Sequence, residues 1–215
     1  MKKVSLLLML IILSKGVFAQ KTFKDKYFGI SINEPKNWIV KSNIAFIDSL
    51  IGEKANESDL ADAIDKNSGS ILLASFYKFN QDKGGFIPVV QINILNNPAE
   101  TFEDFLADMK ESAAVFRSSF NDFSFINEPE LLMINNQKTV HFSGKFIING
   151  TKSINVKVGD QKLNGNQTYK ISVRTKVYAI PYGNYFFQLS FTDNLDVKED
   201  EKMFEELLTS IRIGK

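Results

Sequence analysis

The stretch "YFGISINEPKNWIV", residues 27–40, decides the fold because it holds a strand pattern, a turn and the chain's only tryptophan. Apolar residues alternate with small or polar ones over 28–32, which indicates a β-strand with one buried face. Pro35 presets φ in the segment that follows, so that segment predicts a turn. Trp38 then begins a strand that we expect to return along the first one. We interpret the stretch as the first hairpin of a domain, with Trp38 packing a helix onto it.

The rest of the chain continues this pattern of paired strands. Three further hairpins are predicted from apolar, partly β-branched segments on either side of turn residues. Their paired segments are 70–79 with 86–95, 130–134 with 138–148, and 168–180 with 184–192. Pro181-Tyr182-Gly183 supplies the last of these turns. Residues 149–167, which contain three glycines, predict a loop or a loose extra hairpin.

Helical spacing of apolar residues appears in three regions. Residues 42–66 predict two short helices or one broken helix. A longer amphipathic helix follows, and we expect Asn97 to cap it, Pro98 to take its first position and Glu100 to complete a capping box. Residues 196–211 predict a terminal amphipathic helix. The fold class is therefore α+β, with an antiparallel β-sheet of about six to eight strands, built from hairpins and covered by helices.

Two segments carry a family resemblance. "GISINEPKNW" (29–38) resembles the opening of PsbP-like domains, where a glycine-containing strand runs into a Pro-x-x-Trp turn. "YFFQLSFTDN" (185–194), followed by "FEELLTSIRI" (204–213), resembles the closing strand and helix of the same group. The middle of the chain matches only in the order of its elements. The resemblance implies an αβα sandwich, found among exported bacterial proteins of unknown role, and it assigns no functional residue.

The first residues predict export. Lys2 and Lys3 precede an apolar run that ends at Leu13, and Ala19 offers a small residue for cleavage, as in a secretory signal peptide. The run is shorter than the roughly 20 apolar residues of a membrane-spanning helix. We therefore expect residues 1–19 to be removed and residues 20–215 to form a single α+β domain. That domain would be periplasmic or secreted, with no membrane span after cleavage.

Charge and cysteine content exclude several classes of function. Removal of residues 1–19 would leave 23 basic and 25 acidic residues, interspersed along the chain. Such a balance gives no electrostatic reason to bind nucleic acid. The chain contains no cysteine, so cysteine nucleophiles and disulfides are excluded, and with one histidine the usual zinc sites are excluded too. Its stability must come from its core.

No residue pattern in the chain indicates catalysis. His141 is expected on the solvated face of a strand, and Ser143 nearby lacks the Gly-x-Ser-x-Gly elbow of serine hydrolases. The paired acids, Asp104 with Asp108 and Glu128 with Glu130, are interpreted as solvated surface. We therefore predict no catalytic residue, no cofactor and no metal site, and a protein that is not an enzyme.

Tyrosines near the tip of the hairpin predicted for 168–180 and 184–192 are the best candidates for a contact surface. Exposed tyrosines bury a large area at small entropic cost, so Tyr178, Tyr182 and Tyr185 are predicted to contact a partner, with core packing as the alternative. The predicted function is a non-enzymatic exported binding or assembly module that contacts another exported or envelope protein through loops and hairpin tips. The alternative is a carrier of a small apolar molecule or lipid, in a cavity under the sheet left by a core rich in phenylalanine.

Overall fold

The computed structural model of the chain describes residues 20–52, 57–80, 85–158, 161–197 and 199–214. The predicted signal peptide, residues 1–19, lies outside the described residues. The strands are β1 (Thr22–Lys24), β2 (Ile30–Asn33), β3 (Ile39–Ser42), β4 (Ser70–Tyr77), β5 (Val89–Asn96), β6 (Ser124–Ile134), β7 (Gln137–Val158), β8 (Gln161–Tyr182), β9 (Tyr185–Asn194) and β10 (Arg212–Ile213). The helices are α1 (Ile44–Ile51), α2 (Glu57–Lys66), α3 (Phe102–Ser119) and α4 (Glu199–Ser210).

Seven of these strands form one antiparallel sheet in the order β3-β4-β5-β9-β8-β7-β6. Three hairpins build most of it, β4 with β5, β6 with β7, and β8 with β9, as their turn residues predict. Asn135 and Asn136 form the tight turn between β6 and β7 with φ of 48° and 66°, values that asparagine tolerates. The α+β class and the hairpin-built antiparallel sheet are thus confirmed.

The first predicted hairpin is wrong, because its two strands lie in different sheets. β2 belongs to a small sheet of order β1-β2-β10, whereas β3 pairs with β4 at the edge of the large sheet. Both edges of β2 are already occupied, since Ile32 pairs with Phe23 of β1 and Ile30 pairs with Ile213 of β10. The turn that contains Pro35 therefore carries the chain from one sheet to the other.

The segment 149–167 is a hairpin rather than a loop. β7 and β8 pair without interruption from Val140 opposite Ala179 to Val158 opposite Gln161, so both strands extend far past their neighbours. Gly150 is needed in this ladder because a side chain there would collide with the ring of Tyr169 on the opposite strand. The hairpin of β8 and β9 turns at Gly183-Asn184, so Pro181 and Tyr182 belong to β8 and not to the turn.

Helix α3 begins four residues later than predicted. Thr101 is its N-cap and accepts a hydrogen bond from the backbone N–H of Asp104 at 3.1 Å. Asn97 does not cap the helix: its side-chain oxygen accepts from the backbone N–H of Ala99 at 3.3 Å, in the segment before α3 begins. The predicted apolar stripe of the helix faces the sheet, with Phe105 and Ala113 fully buried.

The two faces of the seven-stranded sheet are covered differently. One face, here called the closed face, packs against α1, α2, α4 and the small sheet. Its core contains large, fully buried side chains from the sheet, the small sheet and α4: Phe28, Phe76, Phe187, Phe191 and Phe204. The other face, here called the open face, is covered by α3 alone among the described helices. In the described part of the chain, no helix is both long and apolar enough to cross a membrane.

Candidate functional site

The three tyrosines predicted to form an exposed tip surface lie on the closed face. Tyr178 and Tyr185 are only 6% and 8% exposed, and Tyr182 packs against the same core. The ring of Tyr185 meets Phe28 edge to face at 5.7 Å between centroids. The predicted exposure is wrong for Tyr178 and Tyr185, because both side chains face the core of the closed face, Tyr178 within β8 and Tyr185 at the first position of β9. Whether these tyrosines contact a partner stays a prediction.

His141 is not on a solvated face. Its side chain is 14% exposed and its ring stacks on Tyr178 at 4.6 Å between centroids. Burial lowers the pKa of His141 below its ordinary value, although Glu130, whose carboxylate lies 3.9 Å from Nδ1, opposes this effect. Burial likewise raises the pKa of Tyr178 to about 12. Ser143 donates its hydroxyl to Oδ1 of Asn127 at 2.7 Å, so it is engaged with an amide rather than with His141.

The paired acids occupy exposed positions, as predicted. Asp104 accepts a hydrogen bond from the hydroxyl of Thr101 at 2.6 Å and completes the capping of α3. Glu128 forms an exposed ion pair with Arg117 at 2.9 Å. Among the residues that the structure describes, no group of three or more His, Cys, Asp or Glu side chains is arranged to hold a metal ion.

A buried ionic cluster on the closed face was not predicted. Arg174 of β8 contacts Asp193 of β9 through two hydrogen bonds of 2.6 and 3.0 Å, and its other nitrogen reaches Glu201 of α4 at 3.3 Å. The hydrogen bonds that Arg174 donates to Asp193 raise the pKa of Arg174 above its usual value. The two residues are cross-strand partners, so a correct β8–β9 register is the signal that would have revealed the pair. The cluster joins α4 to the sheet, which makes its role structural.

Trp38 packs on α4, although not on a hairpin. Its indole meets the ring of Phe204 edge to face at 6.3 Å between centroids. The tryptophan is only partly buried, because it also lines a surface depression of about 540 Å³ with residues 20–21 and 34–37. It therefore connects the terminal helix to the turn where the chain passes from the small sheet to the large one.

The open face contains a groove beside α3. The helix lies over β6, β7 and β8, and it leaves much of β4, β5 and β9 uncovered. Phe105 packs on Phe186 of β9 with centroids 5.2 Å apart, and this contact closes the groove from below. The groove has a volume of about 500 Å³. Its apolar lining is Leu95, Phe105, Met109, Val115 and Phe186, and its polar rim includes Asn96, Asn97, Asp108, Glu111 and Ser112.

Uncharged polar side chains continue the open face beyond the groove. On β5, Gln91 and Asn93 alternate with buried core residues, and they pair with Ser190 and Gln188 of β9. Successive side chains of a strand point to opposite faces, so these four residues lie on the same face as Phe186. All four are partly exposed. The groove therefore borders a polar strip rather than a second hydrophobic core.

No protein-family model matches the chain, and no curated protein matches its sequence. Solved structures resemble it at low sequence identity. It is similar to cyanobacterial PsbP (CyanoP) from Synechocystis sp., with a TM-score of 0.48 and 12% identity, covering 94% of this chain and 96% of that one. It is similar to LpqN of Mycobacterium tuberculosis, described as involved in cell envelope biogenesis, with a TM-score of 0.45 and 11% identity, covering 91% of each chain.

The Ran-binding protein Mog1p of Saccharomyces cerevisiae is a third similar structure. Its TM-score is 0.44 and its identity 9%, and the match covers 90% of this chain and 95% of that one. These identities limit the likeness to the fold. CyanoP is a PsbP protein, the group that the two ends of the sequence resemble.

Proposed function

We propose that the chain is a non-enzymatic exported module that binds another exported or envelope protein in the groove beside α3. The observation that carries this proposal is the uneven covering of the sheet: three helices close one face, while one helix leaves a groove of about 500 Å³ on the other. Protein interfaces have an apolar centre and a polar rim. The groove has both parts, with Phe105 and Phe186 below and Asp108 and Glu111 at its margin.

The charge of the rim favours a basic segment of the partner. Asp108 and Glu111 are exposed carboxylates on the flank of α3 that faces the groove. Complementary charges at a rim increase the association rate and fix the register of a bound segment. We therefore propose that the partner inserts apolar side chains between α3 and β5, with Lys or Arg residues beside them.

The tip of the β8–β9 hairpin contributes to this proposal through the backbone of its turn and not through exposed tyrosines. Asn97, which lines the groove, donates two hydrogen bonds to the turn: its backbone N–H donates to Asn184 O and its side-chain amide to Gly183 O. The tip of the β8–β9 hairpin therefore stands at one end of the groove. Tyr182 points to the closed face, so the backbone of the turn is the part of the tip proposed to border the partner.

The absence of catalysis is supported by the character of the groove. The titratable side chains that line it are Asp108 and Glu111, and both are exposed. A general acid or base at neutral pH usually requires a buried or closely paired group with a shifted pKa. His141, the other candidate for such a role, is stacked under Tyr178 on the opposite face of the sheet.

Site-specific photo-crosslinking in cells that express the protein tests the proposal. A benzoylphenylalanine at Ser112, which lines the groove, should give a discrete adduct with one partner protein. The matched control carries the same group at Ala114, an exposed residue of α3 that does not line the groove. Replacing Asp108 and Glu111 by lysine should remove the adduct at Ser112. Equal adducts at both positions, or an adduct insensitive to the lysines, would contradict the proposal.

A carrier of a small apolar molecule is the second candidate, because the groove lies in the size range of small-molecule sites, about 300–1,000 Å³. The predicted cavity under the sheet would then be this open groove instead. Native mass spectrometry of the purified mature protein decides the matter. A bound apolar ligand, displaced in a Val115→Trp variant, would favour the carrier, and an apo mass alone would remove it.

Export is proposed from the basic start, the apolar run and Ala19. N-terminal sequencing of the protein recovered from the periplasm or medium should begin at Gln20. A cytoplasmic protein that retains Met1 would contradict this part of the proposal.

A further inference from the structure

Among the described strands β6 is paired on one side only, by β7, and its other edge, here called the free edge, differs between its two halves. The first half is irregular, with breaks in its pairing to β7 on either side of Asn127, and it contains Glu128 and Pro129. Bulges, charges and prolines are the means by which proteins keep sheet edges from pairing with other chains. The second half, residues 130–134, pairs regularly with β7 and has no bulge, no proline and a single charge at Glu130. The protection of this edge therefore stops before Leu131.

Backbone groups at Leu131 and Met133 point away from the sheet. The tight turn at Asn135-Asn136 makes Ile134 and Gln137 a hydrogen-bonded pair, and hydrogen-bonded pairs then alternate along the hairpin. The backbone N–H and C=O groups of residues 130, 132 and 134 therefore point toward β7 and bond to it. Those of Leu131 and Met133 face the free edge, where another strand can bond to them.

The side chains of the same segment are apolar and exposed. Leu131, Leu132 and Met133 are 49%, 40% and 55% exposed. Leu131 and Met133 lie on the open face, because Leu131 pairs with Val140, which packs under α3. Leu132 lies on the other face. An added strand would therefore bury apolar side chains on both faces of the sheet.

We propose that residues 130–134 of β6 pair antiparallel with the same residues of a second copy of this chain. A two-fold axis at Leu132 places Leu131 opposite Met133 of the second copy, and Met133 opposite its Leu131. Both free N–H groups of each chain then meet free carbonyls. The two Leu132 side chains face each other in the non-hydrogen-bonded pair, where side chains approach most closely. The two seven-stranded sheets become one continuous sheet.

Charge placement favours this self-pairing over other registers. With the axis at Leu132, Glu130 lies opposite Ile134 of the second copy, and Glu128 lies opposite its Asn136. No carboxylate faces another carboxylate. A slip that brings the two Glu130 side chains face to face would place like charges opposite each other, which destabilises a strand pair. Charge does not distinguish axes at Leu131, Leu132 and Met133, but backbone groups do. An axis at Leu131 would place Met133 opposite Pro129, which has no N–H, and an axis at Met133 would place Leu131 opposite Asn135 of the turn. The axis at Leu132 pairs both residues within the regular half of β6.

The opposite edge of the sheet does not extend the pairing into a polymer. β3 has only the four residues Ile39–Ser42, and Lys41 projects from it. Short edge strands that carry lysine resist pairing. The proposed contact closes at two copies because it is isologous: each chain uses the same β6 edge, which the two-fold pairing occupies.

Sedimentation equilibrium of the mature protein over a wide range of concentration is the first test. The expected mass rises from one chain to two, without higher species. The Leu131→Lys and Met133→Lys variants change exposed side chains and should remain folded, while they weaken dimerisation at least about tenfold. A protein that stays monomeric at the highest concentration, or dimers unaffected by either lysine, would overturn the proposal.

A charge exchange tests the register itself. Leu131→Glu with Met133→Lys in one chain places an acid opposite a base twice across the axis, so the double variant should regain the dimer that each single variant loses. The matched control, Leu131→Lys with Met133→Lys, should stay monomeric. Recovery in both double variants, or in neither, would contradict the pairing of Leu131 with Met133.

An engineered cysteine tests the axis, because the natural chain has none. Leu132→Cys should form a disulfide between two copies under mild oxidation, since non-hydrogen-bonded partners have closely spaced Cβ atoms. Ile126→Cys, exposed on the irregular half of the same strand, is the matched control and should crosslink at least about tenfold more slowly. Equal rates at the two positions would contradict the proposal, as would pairing of Leu132→Cys with a different protein in cells.

Discussion

The closed and open faces of the seven-stranded sheet are built by the same strands, yet they are completed in opposite ways. On β9 the residues Phe187, Leu189 and Phe191 enter a core shared with three helices and a second sheet. The alternating residues Gln188 and Ser190 on the same strand are partly exposed on the open face. Because successive side chains of a strand point to opposite faces, the same strand contributes to the face that stabilises the fold and to the face that is available for contact.

The two faces differ in whether a partner can reach their candidate functional features. The ionic cluster of Arg174 with Asp193 and the stack of His141 on Tyr178 are polar features, but both are enclosed on the closed face. The groove beside α3 is apolar at its base, but it is open to a partner. Accessibility of the surface, rather than chemical reactivity, distinguishes the candidate site.

The largest expected effect is on the closed face. Phe187→Ala removes a fully buried ring that packs among Tyr182 and Tyr185, so the free energy of unfolding should fall by about 3–5 kcal/mol. Urea denaturation measures it. The control is Gln188→Ala, the next residue along and on the open face, which should change stability by less than about 0.5 kcal/mol. Equal losses at the two positions would break the distinction between the faces.

A somewhat smaller loss is expected when the buried ion pair is broken. Arg174→Met leaves the carboxylate of Asp193 fully buried without its cation, and the free energy of unfolding should fall by about 3 kcal/mol. The double variant Arg174→Met with Asp193→Leu should recover most of the loss, since no unpaired charge remains. A double variant as unstable as the single one would show that the pair holds the strands by geometry rather than by charge.

Adding a side chain at Gly144, which Phe123 covers on the open face, should overpack this region and lower the stability of the fold. Gly144 lies under the ring of Phe123, and a Cβ at this position would collide with that ring. Gly144→Ala should therefore cost about 1–3 kcal/mol, as measured by thermal or urea unfolding. Combining it with Phe123→Leu, which makes room, should reduce the added cost of the alanine. An alanine that is harmless in the parent chain would show that α3 and its following loop are loosely packed.

The pH dependence of stability sharpens the account of the closed face. Burial raises the pKa of Asp25 above 3.8, more than the N–H donors of Phe28 and Tyr27 lower it. The folded chain therefore holds this proton more tightly than the unfolded chain, so the carboxyl favours folding at acidic pH and loses that contribution as the pH rises through its folded-state pKa. Relative to Asp25→Asn, the parent chain should lose stability between about pH 3 and about pH 7.

Asp48 provides a control of opposite sign. Hydrogen bonds from Tyr27 and Lys26 lower its pKa below 3.8, so relative to Asp48→Asn the parent chain should gain stability as the pH rises to about 4 and stay level above it. Urea denaturation at a series of pH values gives both difference curves. Two curves of the same slope would contradict the assignment of Asp25 as a buried acid.

The hairpins were predictable from sequence because their information is local. Turn residues such as Asn135-Asn136 lie directly between the strands that they join, so pattern and pairing agree. β1 and β10 were missed because three and two residues are too short to show a period, and β10 pairs with a strand at the other end of the chain. That remote pairing also explains why the first hairpin prediction failed.

The candidate site was less predictable than the fold. The apolar stripe of α3 was evident, but a stripe does not tell which strands the helix covers, and the groove depends on that choice. The tyrosines were assigned to an exposed tip because Pro181-Tyr182-Gly183 indicated a turn, whereas the chain turns at Gly183-Asn184. The face on which Tyr178 and Tyr185 lie is set by pairing with β7 and β9, which is information that only the assembled sheet contains.

The smallest expected effect on stability is that of a substitution in the groove. Its effect on partner binding tests directly whether the groove is the binding site. Val115→Asp adds a charge at an exposed residue that lines the groove, so stability should change by less than about 0.5 kcal/mol. The adduct formed by the photo-reactive group at Ser112 should fall at least about tenfold in this variant, because a charge in the apolar part of an interface is costly. Ala114→Asp, beside it on the outer side of α3, should leave the adduct unchanged. A Val115→Asp protein that is as stable as the parent and forms the same adduct would contradict the assignment of the groove as the binding site.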